Sequence, residues 1–332
     1  MDSITQAALG AAIGGALAPP KHRRRAMVTG IVLGTLPDLD VFLDYGGPIE
    51  NFTYHRSFTH SLLVLFPFSI LLWALLKRWW TPVSQAPKQW LWIITLALIT
   101  HPLIDAHTAY GTQLFWPIDI HPTSWATLFI IDPLYTLPLL FAVIVALIRP
   151  LGDFAFKSLK VGLVLSTLYV VWSWVSLTLV QNNVAAALEK RGIPDAPFFM
   201  TPTPFNTLLW RIVVMTDEGY MEGFDSVILD EGDIKFRSYP SNVNSMLEAN
   251  EVWAVARLQW FTNGFLRARV EDDSLVLSDL RMGQEPTYGF TYKVAARDTH
   301  GWKTIPAERQ PRVIDARSLD DVWQRIWENT DP

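Results

Sequence analysis

Residues 55–76 read HRSFTHSLLVLFPFSILLWALL, in which two histidines and an arginine precede a long apolar run. An apolar run of roughly 20 residues is long enough to cross the hydrocarbon core of a bilayer. Ionisable side chains at the edge of such a run are costly in lipid and by default indicate a functional site. The stretch therefore predicts a membrane helix that begins next to a polar site.

The composition of the chain is typical of a membrane protein. Of the 332 residues, 50% are hydrophobic and 18% are charged, which is more apolar than an ordinary soluble domain. The 15 tryptophans fit this class because indole rings collect at the membrane interface. The absence of cysteine excludes disulfides and thiolate metal ligands. A net charge of −5 without a basic face argues against nucleic acid and leaves the lipid bilayer as the expected partner.

Further apolar runs predict the architecture. Runs of spanning or nearly spanning length cover about 58–76, 90–105, 126–148 and 160–180, and Gly- and Ala-rich stretches cover 4–18 and 26–37. We predict a polytopic α-helical membrane bundle of about four to six membrane segments, followed by a small β-rich extracytoplasmic domain. The helical domain with the metal site is placed at 1–182 and the β-rich soluble domain at 183–332.

Alternating apolar residues and turn signals predict the strands of the C-terminal domain. LLWRIVVMT (208–216) and YMEGFDSVIL (220–229) flank DEG and predict a hairpin. Further turns are predicted at NG (263–264) and EDD (271–273), of which the NG is the strongest signal. The stretch SLDDVWQRIWEN (318–329) has helical spacing. The domain carries no catalytic signature, so we expect a structural, lid or binding module.

Loop charges predict the orientation in the membrane. The loops at 19–25, 77–89 and 149–160 carry ten Lys or Arg residues, whereas those at 38–57 and 106–125 carry only Arg56. Positively charged loops stay on the cytoplasmic side. We therefore expect the loop with Arg56 and the C-terminal domain to be extracytoplasmic.

Polar side chains recur at the predicted outer ends of separate segments. They are Asp38 and Asp40 in PDLD, His55 and His60 in HRSFTHS, and His101 and Asp105 in THPLID. Imidazole and carboxylate ligands without thiolates suit a divalent metal, zinc or manganese, in an open catalytic site. Such a metal polarises a phosphoryl or carbonyl oxygen and lowers the pKa of bound water. These residues together therefore predict a metal centre.

Each cluster alone also has an ordinary structural explanation. An Asp after a proline is usually a turn or cap residue, and His101 with Asp105, four residues apart on one helix face, can be a structural pair. Ser57 or Thr59 can cap a membrane helix that starts near Phe58. The convergence of all clusters on one side of the membrane favours the metal centre.

Five ordered motifs, MDSITQAALGAAIGG, LPDLD, YHRSFTHS, HPLIDAHTAYGTQLFWP and IDPLYTLP, resemble the YdjM family of inner-membrane metal-dependent hydrolases. The resemblance covers roughly residues 1–150 and implies a multi-pass protein of the bacterial inner membrane. It implies as ligands the aspartates of PDLD, the histidines of HRxxTHS, and His101 with Asp105. The family commonly has Thr-His near its start, where this chain has Thr5-Gln6. His107 stands where the family has no ligand. Whether Gln6 or His107 takes part in the site is left open by the sequence.

The leading hypothesis is a membrane-embedded metal-dependent hydrolase whose site opens to the extracytoplasmic face. His55 is a ligand or general base, and Arg56 is a contact for an anionic substrate group. A phosphate-ester or lipid-linked substrate fits a site at headgroup level. The alternatives are a non-enzymatic metal-binding or scaffold membrane protein and a transporter, the latter disfavoured by the lack of a recognisable repeat.

Overall fold

The structure, a computed structural model, describes residues 1–229, 233–311 and 324–328, which form two units. The first unit comprises residues 1–43, 56–125 and 129–173. The second contains residues 44–55, 126–128 and the described residues from 174 onward. The domain division at residue 182 stays a prediction.

The N-terminal part of the chain is helical and strands dominate after residue 197. In chain order the helices are α1 (Ser3–Leu17), α2 (Arg23–Thr35), α3 (Pro48–Tyr54), α4 (Leu62–Trp79), α5 (Thr81–Gln85), α6 (Pro87–Asp105), α7 (Pro133–Ile148), α8 (Asp153–Lys190), α9 (Val243–Glu248) and α10 (Trp253–Thr262). Short 3-10 helices lie at Pro20–His22, Pro37–Phe42 and Phe58–His60. The strands are β1 (Phe198–Pro202), β2 (Leu209–Thr216), β3 (Gly219–Ser226), β4 (Phe236–Pro240), β5 (Leu266–Glu271), β6 (Ser274–Asp279), β7 (Gly283–Gln284), β8 (Thr287–Tyr288), β9 (Thr291–Asp298) and β10 (Gly301–Arg309).

Helices α1 and α2 pack with their backbones in contact. A Cβ atom at Gly30 would lie 1.9 Å from the carbonyl oxygen of Gly10, and one at Gly10 would lie 2.0 Å from that of Gly30. A Cβ atom at Gly34 would lie 2.7 Å from the carbonyl oxygen of Gln6. Only glycine permits this approach, which small residues commonly allow between helices. The contact brings Gln6 of α1 next to Gly34 of α2.

Helix α6 runs through the core of the first unit. Its Trp90, Ile93, Ile94 and Leu98 are fully buried, and the helix packs against α1, α2 and α4. Complete burial of an aliphatic side chain of this size contributes about 1.5–3 kcal/mol. The core therefore fixes the position of the last turn of α6, which ends at Asp105.

Ser61 caps α4 by accepting a hydrogen bond from the N–H of Leu63 at 3.2 Å. The prediction that Ser57 or Thr59 caps this helix is wrong, because the helix begins at Leu62 and a 3-10 turn precedes it. Thr59 therefore lies in the turn before α4.

Two helices of the described residues, α4 and α8, are long and apolar enough to cross a membrane. The prediction of a bundle with about four to six membrane segments is therefore wrong. Helices α1, α2 and α7 have 15, 13 and 16 residues; at about 1.5 Å per residue they fall short of a hydrocarbon core roughly 30 Å thick. Helix α6 is longer, but many of its apolar side chains are buried inside the protein. An apolar run in this chain can therefore belong to the protein core and need not cross a membrane.

The second unit contains two four-stranded antiparallel sheets, ordered β1-β2-β3-β4 and β10-β9-β6-β5, and a short β7-β8 pair. The hairpin predicted around DEG is present as β2 and β3, paired from Leu209 with Ser226 to Thr216 with Gly219. The C-terminal part of α8 contributes Val184 to a buried cluster that includes strand residues. Apolar packing of helix on sheet therefore forms one core of this unit.

The Asn263-Gly264 pair ends a helix instead of joining two strands, contrary to prediction. Asn263 is the C-cap of α10, with a left-handed φ of 52°, and Gly264 follows with φ 81°. The same dipeptide suits both structures because each needs a positive φ. The turn predicted at EDD (271–273) is confirmed, because Asp272 and Asp273 join β5 and β6. Most of the helical stretch predicted at 318–329 falls outside the described residues.

Replacement of Gly30 by alanine is expected to destabilise the first unit, because the new methyl group would overlap the Gly10 carbonyl. Overpacking of a tight contact costs typically about 1–3 kcal/mol. The melting temperature of purified Gly30→Ala protein in detergent should therefore fall. Gly152→Ala is the matched control, since a Cβ atom there would lie 3.9 Å from the nearest atom. Equal melting of both variants would contradict the close contact.

Candidate metal centre

Four side chains from three segments of the first unit converge at one point. Asp38 comes from the 3-10 helix Pro37–Phe42, His60 from the turn before α4, and His101 and Asp105 from the last turns of α6. One ligand atom of each lies within 4.8 Å of those of the other three. The group can therefore hold a metal ion.

The separations of the ligand atoms suit a coordination shell. His60 Nε2 lies 3.1 Å from His101 Nε2, 3.3 Å from Asp105 Oδ2 and 3.5 Å from Asp38 Oδ1. His101 Nε2 lies 3.4 Å from Asp38 Oδ1 and 3.6 Å from Asp105 Oδ2. Ligands about 2.0–2.1 Å from a tetrahedral zinc are roughly 3.3 Å apart. These five separations are all close to that value.

Hydrogen bonds on the outer side of the two imidazoles turn their Nε2 lone pairs inwards. His101 Nδ1 lies 2.6 Å from the carbonyl oxygen of Gly34, which can only accept, so Nδ1 carries the proton. Thr59 Oγ1 donates to Asp40 Oδ2 at 2.7 Å and therefore accepts from His60 Nδ1 at 2.9 Å. Metal-binding histidines use such outer partners to fix the tautomer. Two Nε2 atoms 3.1 Å apart repel each other as lone pairs, and either a shared proton or a cation between them relieves that repulsion.

Asp105 brings a negative charge into this buried site. Burial alone would raise the pKa of its carboxyl group, but the Arg56 guanidinium holds that pKa well below its usual range. The carboxyl is therefore ionised at neutral pH. Its Oδ2 lies 3.2 Å from Arg56 Nε and receives no well-aligned hydrogen bond from the residues that the structure describes. An ionised oxygen in this situation fits a metal ligand.

Gln6 borders the four-residue group. Its Nε2 donates to Asp105 Oδ1 at 2.9 Å and to the His101 carbonyl oxygen at 3.2 Å. Its Oε1 is buried and accepts no hydrogen bond within the described part of the chain. The amino group of Met1 also pairs with Asp105 Oδ1. Position 6 therefore lies at the site, with an amide where the resemblance leads one to expect an imidazole.

Two predicted ligands lie outside the group of four. Asp40 stands behind His60, with its Oδ2 3.7 Å from His60 Nδ1 and hydrogen-bonded by the Thr59 hydroxyl. It therefore supports the imidazole from its outer side. His55 belongs to the second unit, directly after α3, and is not a member of the group.

Arg56 is buried beside Asp105 and has a left-handed backbone, with φ 62°. This conformation costs a residue other than glycine about 1–3 kcal/mol and is frequent at functional sites. The Arg56 N–H donates to Asp40 Oδ2 at 3.0 Å, and Nη1 donates to Thr108 Oγ1 at 3.2 Å. The guanidinium also lies 5.0 Å from the ring centre of Tyr110. These contacts hold a positive charge next to the carboxylate.

Sequence reasoning did not identify Gly34 and Thr59 as parts of the site. Gly34 contributes its carbonyl group, which every residue has, so no residue type could signal it. Thr59 was interpreted as a helix cap, although its place one residue before His60 was a usable signal. The ring of His107 packs against Trp125 and its Nδ1 lies 2.9 Å from the Leu103 carbonyl oxygen, away from the group of four.

Two helices of the described residues are long and apolar enough to cross a membrane, and the first unit contains a buried His-Asp group that could hold a metal ion. Residues 1–180 match the YdjM inner membrane protein family. The chain belongs to this family, as the resemblance of its motifs implied.

Two relatives are similar to this chain over different lengths. The uncharacterized protein YfhP of Bacillus subtilis (strain 168) is 30% identical over 233 residues, which are 67% of this chain and 68% of that protein. The inner membrane protein YbcI of Escherichia coli (strain K12) is 34% identical over 118 residues, 34% of this chain and 64% of that protein. No solved structure matches the chain.

His101→Ala is expected to abolish stoichiometric binding of zinc or manganese, because it removes a nitrogen at the centre of the group. Asp40→Asn should instead lower the affinity about 10–100-fold, the usual effect of losing an outer partner. Calorimetric titration of the purified, chelator-treated protein separates the two effects. His121→Ala, at an exposed histidine, is the control. Unchanged binding in His101→Ala would contradict the assignment.

Proposed function

We propose that this protein is a metal-dependent hydrolase of phosphate esters, free or lipid-linked, at the extracytoplasmic membrane interface. The observation that carries the proposal is the inward direction of the two Nε2 lone pairs, beside the carboxylates of Asp38 and Asp105. Two imidazoles with two carboxylates suit zinc or manganese.

The chain's own residues have distinct roles in this proposal. Asp38, His60, His101 and Asp105 would hold the metal. Arg56 keeps Asp105 ionised and is the candidate contact for an anionic substrate group. His55 keeps its predicted role as a general base or further ligand.

A divalent metal bound by this group supplies Lewis acidity, which polarises a phosphoryl group and activates water. In the hydrolysis the water oxygen bonds to phosphorus, the ester P–O bond breaks, and the leaving oxygen takes up the proton that water loses. Among the four side chains Asp38 is 19% exposed, whereas those of His60, His101 and Asp105 are fully buried. Substrate and water would therefore reach the site beside Asp38.

The charges at the helix ends support the extracytoplasmic location. Lys77 and Arg78 lie in the last turn of α4, and Lys157 and Lys160 lie near the start of α8. Such positively charged ends stay in the cytoplasm. His60, two residues before the other end of α4, would then be extracytoplasmic, as would the residues that follow α8. The lipid bilayer is the proposed partner.

A non-enzymatic metal-binding or scaffold protein is the second candidate function. It is favoured by one observation: four protein ligands, three of them fully buried, can fill a tetrahedral shell without an open position. A transporter has less support because the sequence has no recognisable repeat.

Turnover of a chromogenic ester distinguishes the enzyme from the scaffold. The zinc- or manganese-loaded protein in detergent should hydrolyse p-nitrophenyl phosphate or bis(p-nitrophenyl) phosphate, and a chelator should stop the reaction. His101→Ala should lower kcat/KM more than about 100-fold, beyond the effect of an outer partner, whereas His121→Ala should not. Metal binding without turnover of either ester would support the scaffold, and turnover that survives in His101→Ala would contradict the proposed site.

The cysteine-free chain permits a direct test of topology by single-cysteine labelling. In intact spheroplasts a membrane-impermeant maleimide should label Thr299→Cys, whose position is exposed and follows α8. Ser84→Cys, exposed beyond the basic end of α4, should react only after lysis. The opposite labelling pattern would reverse the proposed orientation.

A further inference from the structure

The surroundings of Asp38 determine what kind of molecule can reach the metal group. Asp38 and Asp40 point into the protein, whereas the side chains between and after them point outwards. Leu39 is 54% exposed, Val41 66% and Phe42 82%. The accessible side of the site is therefore bordered by apolar groups.

Two other segments, the turn that carries His60 and residues 115–116, also expose apolar side chains. Phe58, Phe115 and Trp116 are all exposed, and the Phe58 and Trp116 rings lie 6.1 Å apart. The segment that carries Phe115 and Trp116 is held beside the start of α4, because the Ser61 hydroxyl donates to the Trp116 carbonyl oxygen at 2.7 Å. We call the following set the apolar rim: Leu39, Val41, Phe42, Phe58, Phe115 and Trp116.

The rim adjoins the start of a helix of membrane length. Helix α4, a membrane-length helix, begins at Leu62, directly after His60 and its cap Ser61. Aromatic side chains such as Trp116 are typical of the boundary between headgroups and acyl chains. With α4 in the bilayer, the metal group would lie at headgroup depth and the rim would adjoin the apolar surface of α4.

We infer that the substrate is a lipid phosphate ester of the bilayer, with its phosphate at the metal group and its acyl chain along the apolar rim. This inference rests on the proposed hydrolase function. A cation-binding group that opens between exposed apolar side chains matches an amphiphile in both of its parts. A water-soluble ester would leave the rim without a role in catalysis. The lipid reaches the site sideways from the leaflet and brings its scissile bond to Asp38.

The test compares two diesters with the same leaving group, p-nitrophenyl methyl phosphate and p-nitrophenyl hexadecyl phosphate, in mixed micelles of fixed composition. The metal-loaded full-length protein should prefer the hexadecyl ester in kcat/KM by more than about tenfold. Phe42→Ser should lower the hexadecyl-to-methyl ratio about tenfold, the size expected for the loss of one aromatic contact. Phe141→Ser is the matched control, because this phenylalanine is 65% exposed on α7 and lies outside the rim.

The outcomes separate this inference from the function on which it rests. If both esters are hydrolysed equally and Phe42→Ser leaves the hexadecyl-to-methyl ratio unchanged, recognition of the acyl chain is overturned. The proposed hydrolase function still stands in that case. Equal losses in Phe42→Ser and Phe141→Ser mean that the rim only contacts the micelle, which also overturns the inference. If metal binds but neither ester is hydrolysed, the proposed function fails, and the inference fails with it.

Discussion

Two imidazole nitrogens that face each other at 3.1 Å are the constraint on which the rest of the site depends. Each has an outer nitrogen that donates a proton, so in the neutral form each would present a lone pair to the other. Two carboxylate oxygens at 3.3–3.6 Å add negative charge to the same point. Electrostatics in a buried, weakly screened space makes this arrangement unfavourable without a cation. A proton on one imidazole or a divalent metal would relieve the repulsion, and only the metal would use every donor.

The packing of the helices in the first unit positions the four candidate metal ligands and their hydrogen-bond partners. The glycine contact between α1 and α2 brings the Gly34 carbonyl within reach of His101 and puts Gln6 against Asp105. Burial of α6 fixes both residues that it contributes. The left-handed Arg56 turns its N–H towards Asp40 and its guanidinium towards Asp105. The contacts of Arg56 with Asp40 and Asp105 thus offset the free-energy cost of its left-handed backbone.

The sequence predicted the residues that converge better than it predicted the architecture. Asp38, His60, His101 and Asp105 could be identified because their side chains are costly at the ends of apolar segments. Their outer partners could not, since a backbone carbonyl has no sequence signature. The number of membrane segments was overestimated because α1, α2 and α7 are apolar yet too short, and a buried helix such as α6 has the same composition as a lipid-facing one.

The central claim is that this buried group binds a metal through both imidazoles. X-ray absorption spectroscopy of the zinc-loaded protein tests it most directly, because imidazole produces characteristic multiple scattering. The account predicts a shell of nitrogen and oxygen ligands at about 2.0–2.1 Å that includes two imidazoles. A metal bound without imidazole, or no stoichiometric metal in folded protein, would contradict it.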